Sequence, residues 1–117
     1  MNRASILKAL ELELDKPIYL LGLDLRLWGR DMIFSAEAEK KPFRLVFSEC
    51  TDSRWRFYLH NEAGLESFPR SEILNFRIGR GQGRSPAQIL CEHFGVIVVY
   101  GELFLEWDEK RILLAEG

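Results

Sequence analysis

The chain has 117 residues, of which 47% are apolar and 29% charged, and its formal net charge is −2. This length predicts a single domain, 1–117, with a sizeable core, and the composition is typical of a soluble globular protein. The slightly negative charge argues against a surface devoted as a whole to nucleic acid, since such domains are usually basic, but it leaves room for a local basic patch. No apolar run approaches the length of a membrane span, so we expect no membrane association.

The two cysteines, Cys50 and Cys91, follow no spacing motif. A chain of this size folds without a disulfide framework, so we expect both thiols to be reduced. Charged residues interrupt the N-terminal segment 1–16 every few positions, which excludes the apolar segment of a signal peptide. Both observations predict a cytoplasmic protein.

The first predicted element is a helix over residues 3–14. Apolar residues recur there at steps of three and four, and Pro17 prevents continuation. The alternating segment 10–14, with the sequence LELEL, would also suit a strand, but we favour the helix.

From residue 18 to residue 60 the apolar period changes to two. This alternation predicts a four-stranded antiparallel meander with one buried face. The apolar set of each predicted strand is Leu21, Leu23, Leu25 and Leu27; Met32, Phe34, Ala36 and Ala38; Phe43, Leu45 and Phe47; and Trp55, Phe57 and Leu59.

Short turns fix a predicted register for this meander. A turn at Gly29–Arg30 pairs Leu27 with Met32, a loop over 39–42 pairs Ala38 with Phe43, and a loop over 51–53 pairs Phe47 with Phe57. All three pairings place apolar residues opposite apolar residues, and a slip of one residue would turn them outward.

The C-terminal half continues with a strand over 72–78. A second helix is predicted to begin at Ser85-Pro86, a favourable N-cap and first helical position, and to end before Gly95. Strands follow over 96–100 and 102–107, separated by a bulge or sharp bend at Gly101. The tail from residue 111 adds an edge strand or packs on the core.

The resulting fold class is α+β. It comprises the N-terminal helix, the four-stranded meander, a further strand, the second helix and a C-terminal strand pair. We expect both helices to pack on one sheet face, because an amphipathic helix and a one-sided sheet must bury each other's apolar surface.

The segment 77–86, RIGRGQGRSP, is the first candidate binding site. Backbone N–H groups of a glycine-rich loop before a helix favour anions, and arginine donors suit phosphate. The segment matches neither the Walker nor the dinucleotide-binding pattern, and Pro86 removes one donor. We favour a solvated turn here and keep anion binding as the alternative. Its candidate residues are Arg77, Arg80, Gly81, Gly83, Arg84 and Ser85.

The outer face of the predicted meander is the second candidate. It combines apolar, aromatic and basic side chains, which favours a protein partner or self-association and, below these, single-stranded nucleic acid. Acidic neighbours make the face mixed in charge. Its residues are Trp28, Ile33, Arg44, Val46, Arg56, Tyr58 and His60.

Residues 91–94, CEHF, suggest a metal or thiol site only superficially. In a helix, Cys91 and His93 would point in different directions, and a structural zinc site needs four well-spaced ligands. The carboxylates Glu102 and Glu106 fall on a solvated strand face. We therefore expect no metal, no cofactor and no catalytic residues.

The sequence alone predicts a small, non-catalytic cytoplasmic protein that acts as an interaction or regulatory module. A protein partner or a second copy of the chain is the favoured partner, and a dimer is the expected form of self-association. The alternative is binding of phosphate or single-stranded nucleic acid through segment 77–86 and the basic-aromatic sheet face. An enzyme ranks third, because no nucleophile, base and orienting group converge.

Overall fold

The computed structural model describes residues 2–58, 70–78 and 86–116. Within these residues, one short α-helix accompanies nine antiparallel strands, which form a continuous sheet in the order β4-β7-β6-β5-β1-β2-β3-β8-β9. The elements are α1 (Arg3–Ala9), β1 (Tyr19–Arg26), β2 (Asp31–Ala38), β3 (Lys41–Ser48), β4 (Asp52–Phe57), β5 (Ser71–Ile78), β6 (Ala87–Cys91), β7 (Phe94–Val99), β8 (Glu102–Trp107) and β9 (Lys110–Glu116).

The predicted α+β fold class is wrong, because α1 is the one α-helix among the described residues. The segment predicted as the second helix forms β6 and the start of β7. In β6, Ala87, Ile89 and Cys91 are buried and alternate with exposed residues, so the effective period is two. The β-branched run of β7 pairs with β6 through Ile89 and Val96, and this tertiary pairing overrides the helix signals at Ser85 and Pro86.

The predicted neighbour of β3 is also wrong. The sequence predicts that β4 pairs with β3, but β8 occupies that position, with Leu45 opposite Leu105. Strand β4 instead pairs with β7, where Trp55 lies opposite Val96. The sheet therefore has a first half-sheet (β1, β2, β3, β8 and β9) and a second half-sheet (β4, β5, β6 and β7).

A bent two-stranded ribbon links the two half-sheets. Its strands are β3–β4 and β7–β8, and hydrogen bonds continue through the bend from Thr51 N to Val99 O (2.9 Å) and from Gly101 N to Ser48 O (2.9 Å). Glu49 turns the chain at this point with a φ of 53°. The bend predicted at Gly101 is thus confirmed, and it carries the chain between the half-sheets.

The register of the first hairpins differs from the prediction by two residues. Met32 lies opposite Leu25, not Leu27, and Ala38 lies opposite Lys41, not Phe43. The β2–β3 turn uses Glu39 and Lys40 alone, both with positive φ, as two-residue hairpin turns require. Because side chains alternate with a period of two, a register shift of two residues leaves every side chain on the same face of the sheet. The predicted buried face of β2 and β3 is therefore confirmed.

The core lies between the half-sheets and is closed at one end by α1. Phe47 packs edge-on against Tyr100, with ring centroids 5.2 Å apart. The predicted N-terminal helix exists but is shorter than 3–14: it ends at Ala9, and Glu11 enters the left-handed region at φ 61°. Its buried residues Ile6 and Leu7 belong to the same core cluster.

Among residues 2–58, 70–78 and 86–116, no helix is both long enough and apolar enough to cross a membrane.

Candidate functional site

Several strand edges of the sheet lack a neighbour among the described residues, including those of β1 and β4. Strand β1 pairs with β5 only at Tyr19 and Leu20, although β1 continues to Arg26. Strand β4 lies at one end of the strand order, as β9 does at the other, so β4 has β7 on one side alone. Unpaired strand edges present rows of N–H and C=O groups that can pair with another chain.

An apolar cleft with a volume of about 510 Å³ lies between these two edges. We call it the β1/β4 cleft. No charged side chain contributes to its lining. The lining residues are Leu20, Gly22, Leu23, Leu25, Phe34, Trp55, Phe57 and Phe94.

Aromatic rings form one wall of the β1/β4 cleft. The Trp55 ring stacks on Phe57 with an interplanar angle of 9° and a centroid distance of 6.2 Å. It also contacts Phe94 at 5.6 Å and Phe34 at 6.3 Å. Phe57 nevertheless stays 64% exposed, and Leu25 on the opposite wall stays 56% exposed. Such contiguous exposed apolar surface is typical of interaction sites.

The β1–β2 connection extends this apolar surface with a strained turn. Leu27, Trp28 and Gly29 all have positive φ, at 52°, 59° and 93°. For bulky residues this left-handed conformation costs roughly 1–2 kcal/mol each. The turn nevertheless holds Trp28 fully exposed to solvent beside the β1/β4 cleft. Strain retained at an exposed aromatic residue is a feature of binding sites.

The structure divides the residues of the predicted outer face between two surfaces. Ile33, Arg44 and Val46 lie on the outer face of the first half-sheet, where Ile33 is paired with Val46. Arg56 and Tyr58 follow β4 into the second half-sheet, because β4 does not pair with β3. Trp28 is at the β1–β2 turn, and His60 lies outside the described residues.

The two apolar residues predicted on the outer face of the first half-sheet offer little accessible surface. Ile33 and Val46 are only 9% and 8% exposed. Beside them, the guanidinium of Arg44 contacts the carboxylate of Glu106 at 2.7 Å, and Arg111 contacts the same carboxylate at 3.6 Å. The face is thus mixed in charge, as predicted, although the acidic partner is Glu106. Ile33 and Val46 are far less exposed than Leu25 and Phe57 of the β1/β4 cleft.

Segment 77–86 is described only at its ends. Arg77 and Ile78 close β5, and Pro86 precedes β6. The predicted anion-binding residues of the middle part, Arg80, Gly81, Gly83, Arg84 and Ser85, lie outside the described residues. Because residue 87 begins a strand, the predicted contribution of a helix N-terminus to this site is wrong.

Neither cysteine has the environment of a reactive thiol. Burial, with a smaller contribution from the neighbouring Glu92, raises the pKa of Cys91 to about 12. Burial, with a contribution from Asp31, raises the pKa of Cys50 to about 11. Both thiols are free of disulfide bonds. Among the described residues, no three His, Cys, Asp or Glu side chains cluster as a metal site would require.

No protein-family model matches this chain, and no curated protein shows significant similarity to it. The class of protein is therefore described from the geometry of the fold alone. It is an antiparallel β-sheet protein with a folded sheet and an apolar cleft between two unpaired strand edges.

The sequence alone did not reveal the β1/β4 cleft, because two helices were expected to cover the apolar face of the sheet. Leu23 and Leu25 were predicted to be buried on the meander face, and they do share a face with Phe34 and Met32. Nothing covers them among the described residues, because the β1–β5 ladder stops at Leu20. The dense run of leucines at alternate positions before Trp28 is the signal for this surface.

Proposed function

We propose that the protein is an interaction module that binds an extended segment of a partner protein in the β1/β4 cleft. The observation that carries this proposal is the combination of apolar side-chain space with two adjacent unpaired strand edges. In strand addition, main-chain hydrogen bonds supply affinity, and alternate side chains of the bound segment enter pockets.

An extended chain fits this cleft better than a small molecule does. A small-molecule site usually places a few polar side chains to orient its ligand. The lining of the β1/β4 cleft has no charged, amide or hydroxyl side chain, and the indole N–H of Trp55 already donates to Ser53 Oγ at 3.3 Å. A peptide strand instead bonds to the free backbone groups of the strand edges, while its apolar side chains fill the space beside Trp55 and Phe57.

Charge disfavours one of two self-pairing registers of β4. Antiparallel pairing of β4 with itself that keeps Trp55 on the inner face and spans most of the strand centres on Arg54 or on Trp55. The register centred on Trp55 places Arg54 opposite Arg56, and like charges directly opposite each other destabilise strand pairs. The register centred on Arg54 places Arg54 opposite its own copy but also places Asp52 opposite Arg56, so a second copy of the chain is the competing occupant of this edge.

We place this module in the cytoplasm. Its two cysteines are free thiols, which is typical of a reducing compartment.

The test begins with selection of peptides that bind the full chain from a random 12-residue display library. Calorimetry with a selected peptide should then show about 30-fold weaker binding to Phe57→Ser, since truncation of an aromatic anchor costs about 2 kcal/mol. Leu113→Ser is the matched control, because Leu113 is also exposed but lies on β9, outside the cleft. It should bind like wild type.

N-methylation of the selected peptide tests the strand mode separately. Methyl groups on either alternating set of peptide amides should weaken binding strongly, because one set faces the β1 edge and the other faces the β4 edge. Equal affinity of Phe57→Ser and wild type, or indifference to both methylation patterns, would contradict the proposal.

A further inference from the structure

The outer face of the second half-sheet carries a row of side chains between two arginines. Cross-strand pairing places Arg54 of β4 beside Ile97, Ile97 beside Gln88, and Gln88 beside Arg77 of β5. Three strand spacings separate the two arginines, which amounts to about 14 Å. A parallel row runs from Arg56 through Gly95 and Leu90 to Asn75. We call these eight residues together with Tyr58 the arginine face.

The arginine face is positively charged although the chain as a whole is not. Arg54 has an exposed partner, Asp52, at 3.5 Å. Within the described part of the chain, no carboxylate reaches ion-pair distance of Arg56 or Arg77. Solvent screens the Arg54–Asp52 pair, so all three guanidinium groups remain able to contact an anion.

A shallow groove of about 340 Å³ runs across this face above Gly95. The hydroxyl of Tyr58 lies 3.2 Å from the position that a Cβ atom would take at Gly95, so the tyrosine side chain reaches across the glycine. The groove also contains the amides of Asn75 and Gln88 and the exposed apolar side chains of Leu90 and Ile97. Arginines at the sides, with apolar and amide groups between them, suit a chain of phosphates that carries flat bases.

We propose that the arginine face binds single-stranded nucleic acid. The guanidinium groups contact phosphates, and the bases lie over Leu90, Ile97 and Tyr58 with their edges toward Asn75 and Gln88. This surface is separate from the β1/β4 cleft, because side chains alternate along β4: Trp55 and Phe57 face the cleft, while Arg54 and Arg56 face the opposite side. The inference does not rest on the proposed peptide binding.

The test is fluorescence anisotropy with a fluorescein-labelled 15-nucleotide oligo(dT) and the full chain, over 25–200 mM NaCl. Three phosphate contacts predict a slope of about −2 in a plot of log binding constant against log salt. The Arg56→Gln, Arg77→Gln double variant should reduce this slope to about −0.7 and lower the affinity at 25 mM salt by about tenfold or more.

The Arg44→Gln, Arg111→Gln double variant is the matched control, since it removes two arginine charges from the first half-sheet. It should leave slope and affinity unchanged. Near-UV circular dichroism of all variants should match wild type, because the substituted residues are exposed. Poly-L-glutamate at equal charge concentration should compete poorly, since it has no bases for the groove.

Three results would overturn the proposal. They are absence of binding at 25 mM salt, an equal loss in the Arg44→Gln, Arg111→Gln control and in the Arg56→Gln, Arg77→Gln variant, and competition by poly-L-glutamate as strong as that by unlabelled oligo(dT). The last result would assign the face to an acidic protein segment.

Discussion

The rings of Phe34 and Trp55 lie 6.3 Å apart between centroids, although β2 and β4 are not neighbours in the sheet. Phe34 projects from the first half-sheet and Trp55 from the second. Their contact closes the core on one side and forms the wall of the β1/β4 cleft on the other. The same aromatic group thus contributes to the core and to the proposed binding surface.

The strained β1–β2 turn predicts opposite effects of one substitution on stability and on binding. Trp28→Asn should stabilise the fold by roughly 0.5–1 kcal/mol, because asparagine tolerates positive φ better than tryptophan. The same change should weaken binding of a cleft-selected peptide, because it removes an exposed aromatic ring beside the cleft. Urea unfolding and calorimetry measure the two effects.

Glu39→Asn is the control for that experiment. Glu39 also has positive φ, at 50°, but lies in the β2–β3 turn away from the cleft. It should gain similar stability with unchanged binding. If Trp28→Asn binds the peptide as wild type does, the exposed ring of Trp28 has no role in recognition.

The close approach of Glu49 and Gly101 predicts that the ribbon bend does not tolerate a larger residue. A Cβ atom at Gly101 would lie 2.9 Å from the Cβ atom of Glu49. Gly101→Ala should therefore destabilise the fold by about 1–3 kcal/mol in urea unfolding. Gly22→Ala, where a Cβ atom meets nothing within 4 Å, should be close to neutral.

A second substitution separates the steric cause from a general intolerance of Gly101. Glu49→Gly removes the opposing Cβ atom and also relieves the positive φ at residue 49. In the Glu49→Gly background, the loss of unfolding free energy caused by Gly101→Ala should fall below 1 kcal/mol. If Gly101→Ala lowers the unfolding free energy as much in the Glu49→Gly background as in wild type, contact with Glu49 is not the cause of the destabilisation.

The hydroxyl of Tyr100 predicts a stabilising substitution in the core. Tyr100 is fully buried, and its Oη atom finds no hydrogen-bond partner among the described residues. Tyr100→Phe should raise the free energy of unfolding by about 1 kcal/mol, since a buried polar group without a partner costs about 1–3 kcal/mol. Tyr100→Leu should lower it, because the edge-on packing against Phe47 is lost. A clear loss of stability in Tyr100→Phe would reveal a partner for the hydroxyl.

The raised pKa values of the cysteines predict a loss of stability at alkaline pH. The ordinary pKa of a thiol is 9.0, and burial raises the pKa of Cys50 to about 11 and that of Cys91 to about 12 in the fold. The unfolded state therefore binds fewer protons than the folded state above pH 9, and stability falls as pH rises through this range. Below pH 9 this contribution is fully present.

Urea unfolding at pH 8.0, 9.0 and 10.0 measures that effect. Cys91→Ala should show a shallower decline than wild type, since one of the two thiols is removed. Ellman's reagent at pH 8 should react slowly with the folded chain and at once with both thiols after unfolding. Rapid labelling of Cys91 in the folded chain would contradict its burial.

Local patterning predicted the parts of the fold that depend on neighbouring residues. The alternation of Met32, Phe34, Leu45 and Phe47 correctly placed the inner face of β2 and β3, and Gly101 marked the bend. The register error of two residues left these faces unchanged, because side chains alternate with a period of two.

The parts that depend on distant partners were not predictable in the same way. Ile89 and Leu90 are adjacent apolar residues that fit a helix stripe or a strand, and only pairing with β5 and β7 decides between them. The exposure of Leu25 depends on where the β1–β5 ladder ends, more than 45 residues away in sequence. No local pattern encodes that position, so the β1/β4 cleft emerges only from the assembled sheet.

Amide hydrogen exchange along β1 and β4, followed by NMR, tests the central claim that these two edges are open for strand addition. In the free protein, alternate amides of residues 22–26 and of β4 should exchange quickly, while those bonded to β2 and β7 stay protected. Addition of a cleft-selected peptide should slow the exchange of these rapidly exchanging amides. Protection of every amide in both strands before any peptide is added would contradict the account.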